Sequence, residues 1–133
     1  MKVLTVGVFD YFHYGHLKLF EQARSNGDYL IVAVQDDEYI LKYKPGAKLL
    51  YSTAQRVEII ASLKMVDEVV VYTDVDKIVK SVDFDIFAVG EDQNHKGFVA
   101  AEQWCLQNNK RVVRLKRTAG IASSAIKDEI ISQ

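Results

Sequence analysis

Five short apolar runs, at residues 3–6, 29–34, 68–72, 86–89 and 111–115, most constrain how this chain folds. All are rich in valine and isoleucine, and most are nearly continuous. A strand with one solvated face alternates apolar with polar residues, whereas an almost unbroken run suits a strand covered on both faces, as in a parallel sheet. Between the runs lie segments with helical spacing. In residues 16–26, Leu17, Phe20 and Ala23 share one side, and Gly27 is a natural terminator. Ser52 and Gln55 stand at capping-box spacing at the head of residues 52–64, with Val57, Ile60 and Leu63 on one face. Phe98, Ala101 and Cys105 align in residues 98–108, and Ile126 and Ile130 align in 123–131 behind Ser123 as N-cap. A shorter helix is expected over residues 74–81. Strands alternating with helices predict one α/β domain over residues 1–133, a doubly wound, five-stranded parallel sheet with right-handed crossovers.

Charge and cysteine usage bear on partners. Lys and Arg total 17 against 18 Asp and Glu, which gives no whole-domain electrostatic case for a nucleic-acid partner. Cys105 is the single cysteine, so no internal disulfide forms and a reducing compartment fits. The apolar start is too short for a signal peptide and no run approaches membrane-spanning length. The expectation is a cytoplasmic domain with no membrane partner. Residues 42–48 hold the only proline, beside a glycine, and read as an exposed basic loop carrying Lys42, Lys44 and Lys48.

Open α/β sheets collect ligands at the carboxyl ends of their strands, near the point where strand order reverses. There the first run ends in Gly7-Val8-Phe9-Asp10-Tyr11-Phe12-His13-Tyr14-Gly15-His16, and a helix follows. A helix N-terminus presents free N–H groups and partial positive charge, so it attracts phosphate. Gly15 lets a phosphate or its backbone cradle come close. The two imidazoles can donate to phosphoryl oxygens as charge builds in a transition state. On spacing alone, two ordinary core or surface histidines remain an alternative. So does a zinc pair, although His95, Cys105 and the carboxylates lack zinc-site spacing. Neither Gly-x-Gly-x-x-Gly nor Gly-x-x-x-x-Gly-Lys occurs. A second constellation, Arg114-Leu115-Lys116-Arg117-Thr118-Ala119-Gly120-Ile121-Ala122-Ser123-Ser124, sets cations at a strand end before hydroxyls at a helix start. It too suits an anion, and a solvated strand end with a serine cap has the same look. Two phosphate-seeking termini in one small sheet favour a ligand with several phosphates, such as a nucleoside triphosphate.

With Gly-Val-Phe-Asp-x-x-His-x-Gly-His near its start and Arg-Thr-Ala-Gly-Ile-Ala-Ser-Ser near its end, the chain resembles the cytidylyltransferase-like nucleotidyltransferases. Within that family it is most similar to the bacterial glycerol-3-phosphate cytidylyltransferases. The likeness runs over residues 3–130. It implies a Rossmann-like nucleotidyltransferase fold, commonly a homodimer, and attack of an acceptor phosphate on the α-phosphorus of CTP with loss of pyrophosphate, assisted by Mg²⁺. By this resemblance the catalytic residues are His13, His16, Lys44 and Arg117. The nucleotide site takes Gly7, Val8, Phe9, Asp10, His13, Gly15, His16, Lys44, Asp92, Arg117, Thr118, Gly120, Ile121, Ala122, Ser123 and Ser124. Lys42 and Lys77 fall to the acceptor, and no protein-held metal site is expected beyond the ion on the phosphates.

Two departures matter: Ala122 stands where the family usually has serine, and the lysine loop is longer, which leaves the register of Lys42, Lys44 and Lys48 open. Glycerol 3-phosphate, giving CDP-glycerol for teichoic-acid or capsule synthesis, is the best acceptor on this likeness. Phosphocholine and phosphoethanolamine are its cytidylyl rivals. An adenylyltransferase acting on a sugar phosphate or on flavin mononucleotide, or a non-catalytic nucleotide sensor, are the other readings.

Overall fold

The computed structural model describes residues 1–117, so the helix expected over 123–131 and the motif residues Thr118, Gly120, Ile121, Ala122, Ser123 and Ser124 lie outside the described residues. Five strands, β1 (Lys2–Gly7), β2 (Tyr29–Gln35), β3 (Glu68–Tyr72), β4 (Ile86–Gly90) and β5 (Arg111–Leu115), alternate with helices. These are α1 (Tyr14–Arg24), α2 (Asp37–Tyr43), α3 (Thr53–Ala61), α4 (Val75–Ser81) and α5 (Lys96–Gln107). The sheet order is β3-β2-β1-β4-β5 and every pairing is parallel. The doubly wound, five-stranded sheet expected from the sequence is therefore the one observed.

Successive side chains of one strand enter different cores, which is why the runs are unbroken. Leu30, Val32 and Val34 of β2 pack with Phe20 and Ala23 of α1 and Ile60 of α3. Ile31 and Ala33, between them, pack on the other face with Val75 and Val79 of α4 and Phe98, Ala101 and Cys105 of α5. β4 divides likewise, Ile86 and Ala88 to the first core and Phe87 and Val89 to the second. Each of the larger side chains, the valines, leucines, isoleucines and phenylalanines, contributes about 1.5–3 kcal/mol when fully buried. Among the described residues, no helix is long and apolar enough to cross a membrane.

The chain winds outward from β1 through β2 to β3, then returns past β1 to β4 and β5, so order reverses between β1 and β4. β1 and β2 pair over six residues, from Lys2↔Tyr29 to Gly7↔Val34, but β1 and β4 pair only at Val3↔Ile86 and Leu4↔Phe87. Beyond Leu4 the two strands part, and the Gln93 amide spans the gap: its Nε2 donates to Val6 O and its Oε1 accepts from Gly90 N–H, both at 2.9 Å. A crevice opens at this place.

The capping box at the head of α3 is present, with Ser52 accepting from Gln55 N–H at 3.2 Å and Gln55 Oε1 from Ser52 N–H at 3.0 Å. The basic loop needs correction. Lys42 and Tyr43 belong to the last turn of α2, and Lys44 is its C-cap. Asp36 starts this helix by accepting from Tyr39 N–H at 3.2 Å, and Asp37 and Glu38 complement its positive end. Pro45 then stops it.

Gly27 joins α1 to β2 in contact with main chain. A Cβ there would stand 2.4 Å from Met1 O and 2.8 Å from Val3 Cγ2. Gly27→Ala is expected to cost about 1–3 kcal/mol, as overpacking does. An unchanged urea midpoint would refute that contact.

Candidate active site

The connection from β1 to α1 is strained. Phe9 and Tyr11 hold positive φ angles of 55° and 50°, a region that side chains other than glycine rarely adopt and that clusters at functional sites. The Phe9 ring folds back over Gly7, where a Cβ would lie 2.7 Å from Phe9 Cζ. On its other side it meets Phe20 edge-on at 4.9 Å, so the core of the domain supports the bend. The chain then enters α1 at His13.

His13 is the N-cap of α1, and its Nδ1 accepts from Gly15 N–H at 3.0 Å. His16 Nδ1 accepts from His13 N–H at 3.3 Å, so the two histidines form a reciprocal capping box. Their rings stack at 3.9 Å with 18° between planes. A nitrogen that accepts a hydrogen bond carries no proton, which assigns the proton of each neutral ring to Nε2. Burial, and then the neighbouring His13, pull His16 down to about 4 against an opposing pull from Asp10. Burial, and then the Arg117 cation, hold His13 below its ordinary value. Near neutral pH the pair is therefore two uncharged Nε2–H donors.

The pair lines a cleft of about 430 Å³ whose walls include Gly7, Val8, Phe9, Asp10, His13, Gly15 and His16 on one side, and Asp92, Gln93 and Arg117 on the other. Nine of the residues expected at the nucleotide site thus come together here: those seven with Asp92 and Arg117. Arg117 lies beyond β5 but is held. Its N–H donates to Glu91 Oε1 at 3.1 Å and its Nη1 to Asp92 Oδ2 at 3.0 Å. Gln22 of α1 clasps the preceding main chain, donating to Lys116 O at 2.9 Å and accepting from Lys116 N–H at 3.0 Å. Asp10 is buried in the cleft wall, and its two oxygens accept from Leu50 N–H at 2.7 Å and Tyr51 N–H at 3.0 Å.

A second cavity of about 560 Å³ shares Gly7, Val8, Asp92 and Gln93 with the first. Tyr39, Tyr43, Tyr72 and Phe98 give it aromatic walls, and Lys44, Asp74, Asp76 and His95 give it charge and hydrogen bonding. Tyr39 OH donates to Asp74, which raises the affinity of that phenol for its proton. Lys44 lies on this second cavity rather than in the first cleft. Lys42 and Lys77 line neither; Lys77 pairs with Asp74 at 3.3 Å. The sequence reading did not find Gln93, the tyrosine wall or Arg56. The last had a signal, since a cation at position 56 shares the helical face of Ile60 and Leu63.

The chain matches the cytidylyltransferase-like family over residues 4–129. It is 36% identical to a glycerol-3-phosphate cytidylyltransferase from Bacillus spizizenii, over 98% of each chain. It is 38% identical to an FAD synthase from Thermococcus sibiricus, over 86% of this chain and 80% of that one. Among solved structures, a lipopolysaccharide core biosynthesis protein from Thermoplasma volcanium superposes with a TM-score of 0.75 at 26% identity, covering 89% of this chain and 98% of the other. With its parallel sheet, the crevice at the order reversal and the paired histidines in it, the chain belongs to the cytidylyltransferase-like family.

Proposed function

We propose that this chain transfers a cytidylyl group from CTP to a small phosphorylated alcohol, with glycerol 3-phosphate as acceptor, giving CDP-glycerol and pyrophosphate. The observation that carries this reading is the pair of cavities meeting at Gly7, Val8, Asp92 and Gln93, one with the histidine pair and Arg117, the other with Lys44. The triphosphate occupies the first and the acceptor the second. An acceptor phosphate oxygen then forms its bond to the α-phosphorus as the bond to the β-phosphate oxygen breaks. Catalysis of this kind is positioning and charge stabilisation, with no covalent enzyme intermediate. The Nε2–H groups of His13 and His16 donate to oxygens whose charge grows, and Arg117 neutralises the polyphosphate. Mg²⁺ prefers oxygen ligands and keeps several waters, which fits exposed Asp92 at the cleft beside substrate phosphates. The ion supplies charge neutralisation to the leaving pyrophosphate. A homodimer is the assembly that goes with this reading.

One observation favours a second reading. The second cavity is large for a three-carbon phosphate and is walled by three tyrosines and a phenylalanine. Those walls, together with the FAD synthase relative, support adenylyl transfer from ATP to flavin mononucleotide.

Pyrophosphate release with Mg²⁺, with CTP or ATP offered against glycerol 3-phosphate, flavin mononucleotide and sugar phosphates, tests both. Turnover with CTP and glycerol 3-phosphate is expected. Turnover only with ATP moves the assignment to the second reading, and nucleotide binding with no turnover on these acceptors would point to an untested acceptor or to a sensor.

The lysines divide further. Lys44→Ala is expected to raise the acceptor KM about tenfold, the worth of one charge-assisted hydrogen bond, with nucleotide affinity little changed. Lys42→Ala, made separately, leaves both near wild type. Steady-state kinetics with each substrate varied checks this, and a Lys42 effect as large as that of Lys44 would shift the register of the loop.

A further inference from the structure

Arg56 of α3 is fully buried, and its guanidinium donates to four oxygens, three of them main-chain carbonyls. Nη1 donates to Val8 O at 2.9 Å and to Gln35 O at 2.8 Å, Nε to Tyr51 O at 3.3 Å, and Nη2 to Thr53 Oγ1 at 3.3 Å. Asp10, Asp37 and Asp36 compensate its charge through space. Burying a cation is costly even when hydrogen-bonded, and an apolar side chain of similar volume at such a place is often no less stabilising. The acceptors show what the guanidinium is placed to do.

Gln35 is the point where the chain leaves the sheet for residues 36–52, and Tyr51 and Thr53 are where that excursion ends at the head of α3. That excursion carries Tyr39, Tyr43 and Lys44, one wall of the second cavity. Its two feet are also bridged directly: Asp37 N–H donates to Thr53 Oγ1 at 2.9 Å and Thr53 N–H to Asp37 Oδ2 at 3.2 Å. Val8, the fourth acceptor residue, lines both cavities.

We infer that Arg56 is a positioning residue, pinning both feet of the 36–52 excursion to Val8 so that the wall of the second cavity is held in register with the first cleft. This rests on the reading that the two cavities hold the two substrates. A guanidinium suits the task because its planar fork reaches several fixed oxygens at once, which an ammonium does not.

The test is Arg56→Lys, alone and with Lys44→Ala, scored by kcat, both KM values, CTP titration without acceptor, and amide hydrogen exchange over residues 36–52. The single variant is expected to bind CTP within about threefold of wild type and to lose about 100-fold in kcat, the scale of a misplacement near 1 Å. Exchange over 36–52 should quicken, and Lys44→Ala should cost little more once the wall has moved. A kcat at the wild-type level with only a lowered unfolding midpoint would reduce Arg56 to a structural role, and fully additive losses with Lys44→Ala would overturn the inference. If the wild type turns over no acceptor, the functional reading fails, yet exchange still decides this inference: unchanged rates over 36–52 would overturn it. Should Arg56→Lys not fold, Thr53→Ala, which removes one acceptor and the Asp37 N–H bond to Thr53 Oγ1, keeps the Thr53 N–H bond to Asp37 and unpairs no buried charge, is read in the same way.

Discussion

Replacing His16 by alanine is expected to lower turnover at least about 100-fold in a protein that remains folded, the scale of losing one transition-state donor. The fold survives because the side chain is a partner in a cap. What disappears is the bond from His13 N–H at 3.3 Å and ring contact with His13, Phe12 and Phe9, a loss of about 1 kcal/mol for the cap. The chemistry does not survive, because the donor is gone. Two further variants separate donor from bulk. Glutamine can place an N–H near the Nε2 position and asparagine only near Nδ1, so His16→Gln should keep more activity than His16→Asn. Acid adds a second readout. His16 titrates near 6.5 in the unfolded chain and near 4 in the fold, so between those values the unfolded state binds more protons. Stability therefore declines as pH falls from about 6.5, by up to about 3 kcal/mol below 4. Urea midpoints at neutral and acid pH should show that slope in the wild type and a shallower one in His16→Ala. Near-normal turnover in the folded alanine variant would remove His16 from the mechanism.

How much of this the sequence discloses depends on how far each residue reaches. The strands are legible because both faces of β2 and β4 are covered, so valine and isoleucine run without interruption. The histidine pair is legible because its partners are two and three residues away. Gln93 reaches Val6 across 87 residues and Arg56 reaches Val8 across 48, and no periodicity encodes such contacts. The tyrosine wall is likewise assembled from α2 and β3, which the fold alone brings together. α2 is a different case. Asp36, Asp37 and Glu38 announce a helix start, but Pro45 and Gly46 a few residues later draw the eye to a loop.

Arg117→Ala is expected to weaken CTP binding about 10–100-fold and to change kcat less, because the proposed reading sets its guanidinium on the polyphosphate rather than on the reacting atoms. The variant should fold as the wild type does. The Arg117–Asp92 pair is 3.0 Å long but its side chains are 50% and 63% exposed, and such surface pairs contribute little to stability. That exposure has a consequence for binding. A cation open to solvent is screened by salt, whereas neutral imidazole donors are not. Calorimetric titration of CTP at low and high ionic strength should show the gap between wild type and Arg117→Ala narrowing as salt rises, while the turnover deficit of His16→Ala stays constant. An unchanged affinity for Arg117→Ala at low salt would mean that the polyphosphate lies elsewhere in the cleft. A His16 deficit that fades with salt would mean that the imidazole acts as a cation, against the burial that holds both rings neutral.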